Sequence, residues 1–184
     1  MTPLPDIRRL RAFIKRGGII AYPTESCYGL GCDPANQRAV LRILALKGRP
    51  QRKGLIVIGS DAQQFDRYLA PIPGSLATRL SEWWPGPNTL LLSAAKRCPR
   101  WLKGGHDTLA VRVSAHQETT RLCRALNMAL VSTSVNRAGC RPIKDAKTCA
   151  RIFGKQVLTL PGQIGRHKRP SRIIEPLSGK TYRV

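Results

Sequence analysis

Apolar positions along the chain follow two periods, and the places where one gives way to the other outline the elements. Ile7, Leu10 and Ile14 stand at helical spacing ahead of Gly17 and Gly18, which predicts an amphipathic helix ending at the glycines. GGIIAYP then reads as a buried strand. Residues 36–46, NQRAVLRILAL, repeat the helical period through Val40, Ile43 and Leu44, and Pro50 is expected to end this helix by disfavouring helical geometry at Arg49. LIVIG is a short buried strand. SDAQQFDRYL and PGSLATRLSEWW predict two more helices, the first capped by Ser60 or Asp61, before WPGPNTLLLS turns into a strand. TLAVRV and ALVSTS predict strands on either side of a helix around ETTRLCRAL. After the polar loop SVNRAGCRP come a short helix near 145–153 and the strands QVLTL, RIIE and TYRV, around a loop rich in Gly, Pro and Arg. Strands and helices interleave without internal repeat or linker. The expectation is one α/β domain over residues 1–184, a mixed twisted sheet flanked by helices.

Composition narrows the class. The 184 residues are 42% hydrophobic and 23% charged, and no apolar run approaches the roughly 20 residues that span a bilayer. MTPLPDIRRLRAFIKRGG scatters charges among its apolar positions, unlike a secretory leader. The six cysteines form no CxxC pair and no Cys/His grouping at metal spacing, so neither a zinc site nor a disulfide scaffold is expected, and free thiols fit the cytoplasm. Charge is the outlier. Thirty-two Lys and Arg against ten Asp and Glu leave +22, a field that attracts polyanions such as nucleotide triphosphates or RNA. Residues 141–184 alone hold 11 Lys and Arg against Asp145 and Glu175, including RHKR at 166–169.

Candidate chemistry emerges first by exclusion. The three histidines are scattered, and the carboxylates form no acidic pair, nucleophile elbow or HExxH. GxxxxGK[ST] is absent, and YGLG lacks the three-glycine dinucleotide fingerprint. What remains is a set of loops bearing cations or hydroxyls: PTESCYGLG, LKGRPQRKG, STSVNRAG and RPSRI, with VRV inside a strand. In PTESCYGLG, Gly29 and Gly31 allow positive φ or close approach to a ligand, while Thr24, Ser26 and Tyr28 offer hydroxyls. Tyr28 can equally pack its ring in the core. Lys47 and Arg49, at a helix end, can reach phosphates or simply oppose the helix dipole. In the alternating strand TLAVRV, Arg112 shares a face with Ala110. A charge there requires a pocket, a partner carboxylate or an exposed face, and the strand taken alone favours the exposed face.

Taken in order, AYPTE with YGLG, ALKGRP, WPGP, AVRV, STSVN and PSRI resemble the TsaC/YrdC family of threonylcarbamoyl-AMP synthases over residues 7–184. The resemblance implies a single YrdC-like domain with a basic concave face. It also implies an enzyme that condenses L-threonine, bicarbonate and ATP to threonylcarbamoyl-AMP with release of pyrophosphate, in tRNA t6A modification. Mg²⁺ would accompany ATP without a protein metal site of its own. Carried over by motif, Lys47 and Arg49 (KxR), Lys53, Ser134 and Asn136 (SxN) and Arg183 would meet the nucleotide. Thr24, Ser26, Arg112, Ser132 and Ser171 would meet threonine. No protein nucleophile is implied; Lys47 and Arg49 would position and neutralise charge, and PTESCYGLG would form one wall of the pocket. The sequence departs from the family's pattern in three respects: Ile58 stands where longer members carry histidine, STSVN replaces the commoner PSAN, and the charge is unusually high. The last feature keeps open a competing expectation, a non-enzymatic RNA-binding or ribosome-associated factor. Either reading places the protein in the cytoplasm, with tRNA or other RNA as a partner; the synthase reading adds the downstream t6A-pathway proteins.

Overall fold

Helices form where the apolar period coincides with a cap. In this computed structural model, which describes residues 4–183, α1 (Ile7–Lys15) begins on Asp6, whose carboxylate accepts from the backbone N–H of Arg8 and Arg9 at 2.9 and 3.2 Å. After β1 (Ile20–Pro23) and β2 (Tyr28–Gly31), α2 (Gln37–Lys47) begins on Asn36, whose side-chain oxygen accepts from Ala39 N–H at 3.0 Å. Gly48 ends α2 in the left-handed conformation, φ 60°, so the helix stops two residues before the expected proline effect. The later elements are β3 (Ile56–Gly59), α3 (Gly74–Ala77), β4 (Asn88–Ser93), α4 (Arg100–Lys103), β5 (Thr108–Val113), α5 (Gln117–Leu126), β6 (Leu130–Ser134), α6 (Ala146–Phe153), β7 (Leu158–Thr159), β8 (Arg172–Glu175) and β9 (Lys180–Arg183). Val184 of the expected strand TYRV and residues 1–3 of the N-terminal stretch lie outside the described residues.

Several expectations need correction. YGLG is a strand, not a loop: it pairs antiparallel with β1, Pro23 opposite Tyr28 and Ile20 opposite Gly31. Neither Gly29 nor Gly31 has a positive φ. Gly31 instead makes room, since a Cβ there would stand 2.6 Å from the Tyr22 ring and 2.9 Å from Val131 O. SDAQQFDRYL makes only a 3₁₀ turn over Ala62–Phe65, with Asp61 as the cap, accepting from Gln63 N–H at 2.8 Å. PGSLATRLSEWW divides into α3 and a 3₁₀ turn at Leu80–Glu82, and QVLTL pairs only through Leu158 and Thr159. The short helix α4 was not expected.

The nine strands form one mixed sheet in the order β7-β1-β2-β6-β3-β5-β4-β8-β9, with β7–β1, β3–β5 and β4–β8 parallel and the other neighbours antiparallel. The period of two assigns the faces. Ala21, Val57, Val111 and Val131 point into the larger core with Val40 and Ile43 of α2, Leu102 of α4 and Phe153 of α6. Ile20, Tyr22, Ile58 and Leu130 point the other way, against Leu10 and Ile14 of α1 and Leu122 and Leu126 of α5. Those two helices cover only part of their face. Ile56 and Ser132, two residues along from Ile58 and Leu130, border a cleft instead.

Candidate active site

The cleft has a volume of about 1120 Å³, and its lining includes all eleven residues singled out from the sequence: Thr24, Ser26, Lys47, Arg49, Lys53, Arg112, Ser132, Ser134, Asn136, Ser171 and Arg183. Sheet register explains much of this gathering. Ser134 pairs with Gly29, Ser132 with Ile56, and Ile56 with Ala110, so separate stretches of chain arrive on adjacent strands. Ile56, Leu91, Ala110 and Ile173 contribute apolar surface, hydroxyl groups share the polar part with Lys and Arg side chains, and Glu175 is the one Asp or Glu among the described lining residues.

Lys47 leaves the last turn of α2 and is buried. Its ammonium neither points to solvent nor acts as a helix cap. It donates to Ser134 O (2.5 Å), Asn136 Oδ1 (2.8 Å) and Asn136 O (3.1 Å), with Ser134 Oγ at 3.4 Å. Ser134 Oγ donates to Asn136 Oδ1 at 2.6 Å, and Asn136 Nδ2 donates to Cys140 O at 2.7 Å. The KxR and SxN motifs, far apart in sequence, are therefore one hydrogen-bonded unit. Burial and the neighbouring Arg49 charge push Lys47 down to about 8, while the surrounding oxygens favour keeping its proton. Arg49 is half-buried and donates to Gly54 O through Nε at 3.2 Å and Nη2 at 3.0 Å, which braces the loop carrying Lys53.

Arg183 donates through Nε to Ser171 O at 2.8 Å and through Nη2 to Ser171 Oγ at 3.0 Å; Ser171 Oγ and Thr89 Oγ1 share a bond of 2.8 Å. Burial, then the charges of Arg112 and Arg49, lower the Arg183 pKa. Such mutual repulsion between cations favours the binding of anions in this cleft.

Arg112 contradicts the exposed-face expectation. It is 7% exposed, and its Nη2 lies 3.3 Å from Oε2 of Glu25, itself 5% exposed. Ser114 Oγ donates to Glu25 Oε1 at 2.7 Å. Burial alone would raise the Glu25 pKa, but the Arg112 charge and the Ser114 bond outweigh it and hold the carboxyl below its ordinary range. Thr24 Oγ1 donates within its own turn, to Cys27 O at 2.8 Å. Cys27 lines the cleft with a thiol that burial pushes up, which keeps it protonated and a poor nucleophile. Tyr28 does not line the cleft: its ring is in the core and its hydroxyl donates to Gly162 O at 2.7 Å. Ile58 is also fully buried, in the core beneath α5.

Glu25, Ser114 and Thr89 were missed by reading the sequence. For Glu25 a signal existed, because an acid inside a hydroxyl-rich loop is conspicuous in a chain with ten carboxylates. Thr89 and Ser114 carry no such local mark.

A family model described as "Telomere recombination", Sua5/YciO/YrdC, matches residues 12–184. The chain belongs to the Sua5/YciO/YrdC family. Among relatives in this family, the threonylcarbamoyl-AMP synthase of Chromobacterium violaceum is 49% identical over 187 aligned positions, covering 98% of this chain and 97% of that protein. The threonylcarbamoyl-AMP synthase of Methylobacillus flagellatus is 50% identical over 176, covering 96% and 98%. The crystal structure of P. abyssi Sua5 complexed with L-threonine superposes with a TM-score of 0.83 at 34% identity; the match covers 92% of this chain and half of that protein. E. coli YciO shares the Sua5/YciO/YrdC fold, with a TM-score of 0.78 at 24% identity over 94% of this chain and 85% of that one.

Proposed function

We propose that this protein is an L-threonylcarbamoyladenylate synthase acting in tRNA t6A modification as a single YrdC-like unit. The observation that carries the reading is the convergence of Lys47, Arg49, Arg112 and Arg183 in one cleft with hydroxyl groups. The threonine amine attacks the bicarbonate carbon and, with loss of water, becomes a carbamate. A carbamate oxygen then attacks the α-phosphorus of ATP, and the bond to the β-phosphate oxygen breaks to release pyrophosphate. Neither step needs a protein nucleophile. Both need placement and neutralised charge, supplied by pre-positioned cations.

In this reading Arg112 takes the threonine carboxylate, with Thr24, Ser26, Ser132 and Ser171 orienting the substrate. Arg49, Lys53 and Arg183 face the phosphates, while Lys47, its three N–H groups taken by Ser134 and Asn136, adds its charge and holds the loop whose Ser134 and Asn136 complete the nucleotide contacts. Mg²⁺ would come with ATP and would help to neutralise the charge of its phosphates. Lys168 of the RHKR run lines the cleft, and this basic run is where tRNA or other RNA is proposed to dock and the t6A-pathway partners to collect the product. Among the described residues no helix is long and apolar enough to cross a membrane, and the proposed site of action is the cytoplasm.

The test is to incubate the pure protein with ATP, Mg²⁺, L-threonine and bicarbonate and to measure pyrophosphate. Release that depends on both threonine and bicarbonate is expected. Release independent of threonine, or none, removes the synthase reading and leaves the RNA-binding factor.

A further inference from the structure

Glu25 does not line the cleft; it stands behind Arg112, which does. Three features hold it there. Ser114 Oγ donates to one carboxylate oxygen at 2.7 Å, and His167 N–H donates to the Glu25 main-chain oxygen at 3.1 Å. Gly165 N–H donates to Thr24 O at 2.9 Å, so the segment before RHKR is laced over the turn that carries Glu25. Arg112 is less completely satisfied. The 3.3 Å approach of Glu25 Oε2 to Nη2 is an ion pair without hydrogen-bond geometry, and both Oε2 and Nε are buried without a hydrogen-bond partner. A guanidinium has five N–H groups in a rigid plane; with Nε enclosed, a carboxylate entering from the cleft would meet the Nη groups of a side chain whose orientation is already set.

Burying such a pair costs desolvation that its attraction only partly offsets, so stability alone is a poor reason for it. Charge supplies a better one. Arg112 alone would present a unit positive charge and welcome any carboxylate. Arg112 with Glu25 is neutral overall, which suits a zwitterion, its carboxylate on the guanidinium and its ammonium in the field of the nearby acid.

We propose that Glu25 is a positioning residue that holds Arg112 in register for an amino-acid carboxylate and tunes the pocket toward the zwitterion. This rests on the assignment of Arg112 to the substrate carboxylate. The test uses Glu25→Gln and Arg112→Lys, singly and together, with pyrophosphate release followed against threonine and against ATP. Glu25→Gln is expected to raise the threonine KM at least about tenfold while the ATP KM stays within about twofold. The double variant should be no worse than Arg112→Lys, because residues acting as one unit are not additive. 3-Hydroxybutyrate, which lacks the amine, should compete better against threonine in Glu25→Gln than in the wild type.

Threonine and ATP parameters worsening together would mean a merely structural role, and losses that multiply in the double variant would mean independent action; either overturns the proposal. So does an unchanged preference for threonine over the amine-free competitor. If Glu25→Gln does not fold, Ser114→Ala decides: a selective rise of about threefold in threonine KM supports the proposal, and an unchanged value overturns it. A wild-type protein without threonine-dependent turnover defeats the synthase reading itself, whereas normal wild-type turnover with an unchanged threonine KM in Glu25→Gln defeats only this inference.

Discussion

In one part of the cleft Lys47 is surrounded by uncharged oxygens of Ser134 and Asn136; in another, Arg112 is held by the carboxylate of Glu25. Both cations are buried, and each is oriented by residues distant in sequence. The difference lies in what remains of the charge. Neutral acceptors hold an ammonium without cancelling it, so the Lys47 region, with Arg49 beside it, keeps net positive charge for a polyanion. A carboxylate orients the guanidinium and offsets its charge as well, so the Arg112 region suits a ligand that brings both signs. On the proposed function, one cleft would thereby discriminate between a triphosphate and an amino acid.

The sharpest way to break this contrast is Lys47→Ala, which removes the charge and also unties the 134–136 loop. ATP affinity or turnover should fall by roughly 100-fold, because a nearby charge and the placement of Ser134 and Asn136 are lost together, at the upper end of the about 1.5–3 kcal/mol of a charged hydrogen bond. Arg49→Ala, which leaves that loop tied, should cost about tenfold on the same scale. Nucleotide titration and steady-state kinetics measure both, and unchanged values would reduce the two residues to structural roles. Arg112→Lys keeps the charge but loses the planar fork. Threonine KM should rise, or turnover drop, by at least about tenfold, corresponding to roughly 1.4 kcal/mol, while RNA affinity at fixed salt barely changes. Equal losses in threonine use and RNA binding would erase the distinction between the two regions.

Titration provides a smaller effect. With Lys47 pushed down to about 8, its charge is present below that pH and lost as pH rises through it. Equilibrium ATP binding should therefore weaken several-fold between about pH 7 and pH 9.5, and Lys47→Ala should remove most of that dependence, since arginines stay charged throughout. A flat profile in the wild type would mean that the oxygens around Lys47 outweigh its burial. The smallest change is Ser26→Ala, expected to raise threonine KM only about twofold, because Ser26 is half-buried and its hydroxyl makes a long, 3.9 Å approach to Cys27 Sγ. A tenfold loss would make Ser26 as important as Arg112.

Helices α1, α2, α5 and α6 are legible in the sequence because their determinants are local: an apolar period and caps within a few residues of each end. Gly, Pro, cations and hydroxyls mark the site segments as well, and the eleven positions that the family resemblance assigns line one cleft, whereas Tyr28, offered by its hydroxyl, does not. What the chain order does not reveal is pairing. YGLG has the composition of a loop and becomes β2 because β1 and β6 flank it; QVLTL has the composition of a strand, yet only two of its residues find β1. Arg112 reads as an outward charge in its own strand, and only the tertiary structure brings Glu25 and Ser114 against it. The cause is the same each time. A cap or a helical face is specified by neighbours in sequence, whereas burial, sheet register and the partner of a charge depend on segments that meet only after the chain has folded.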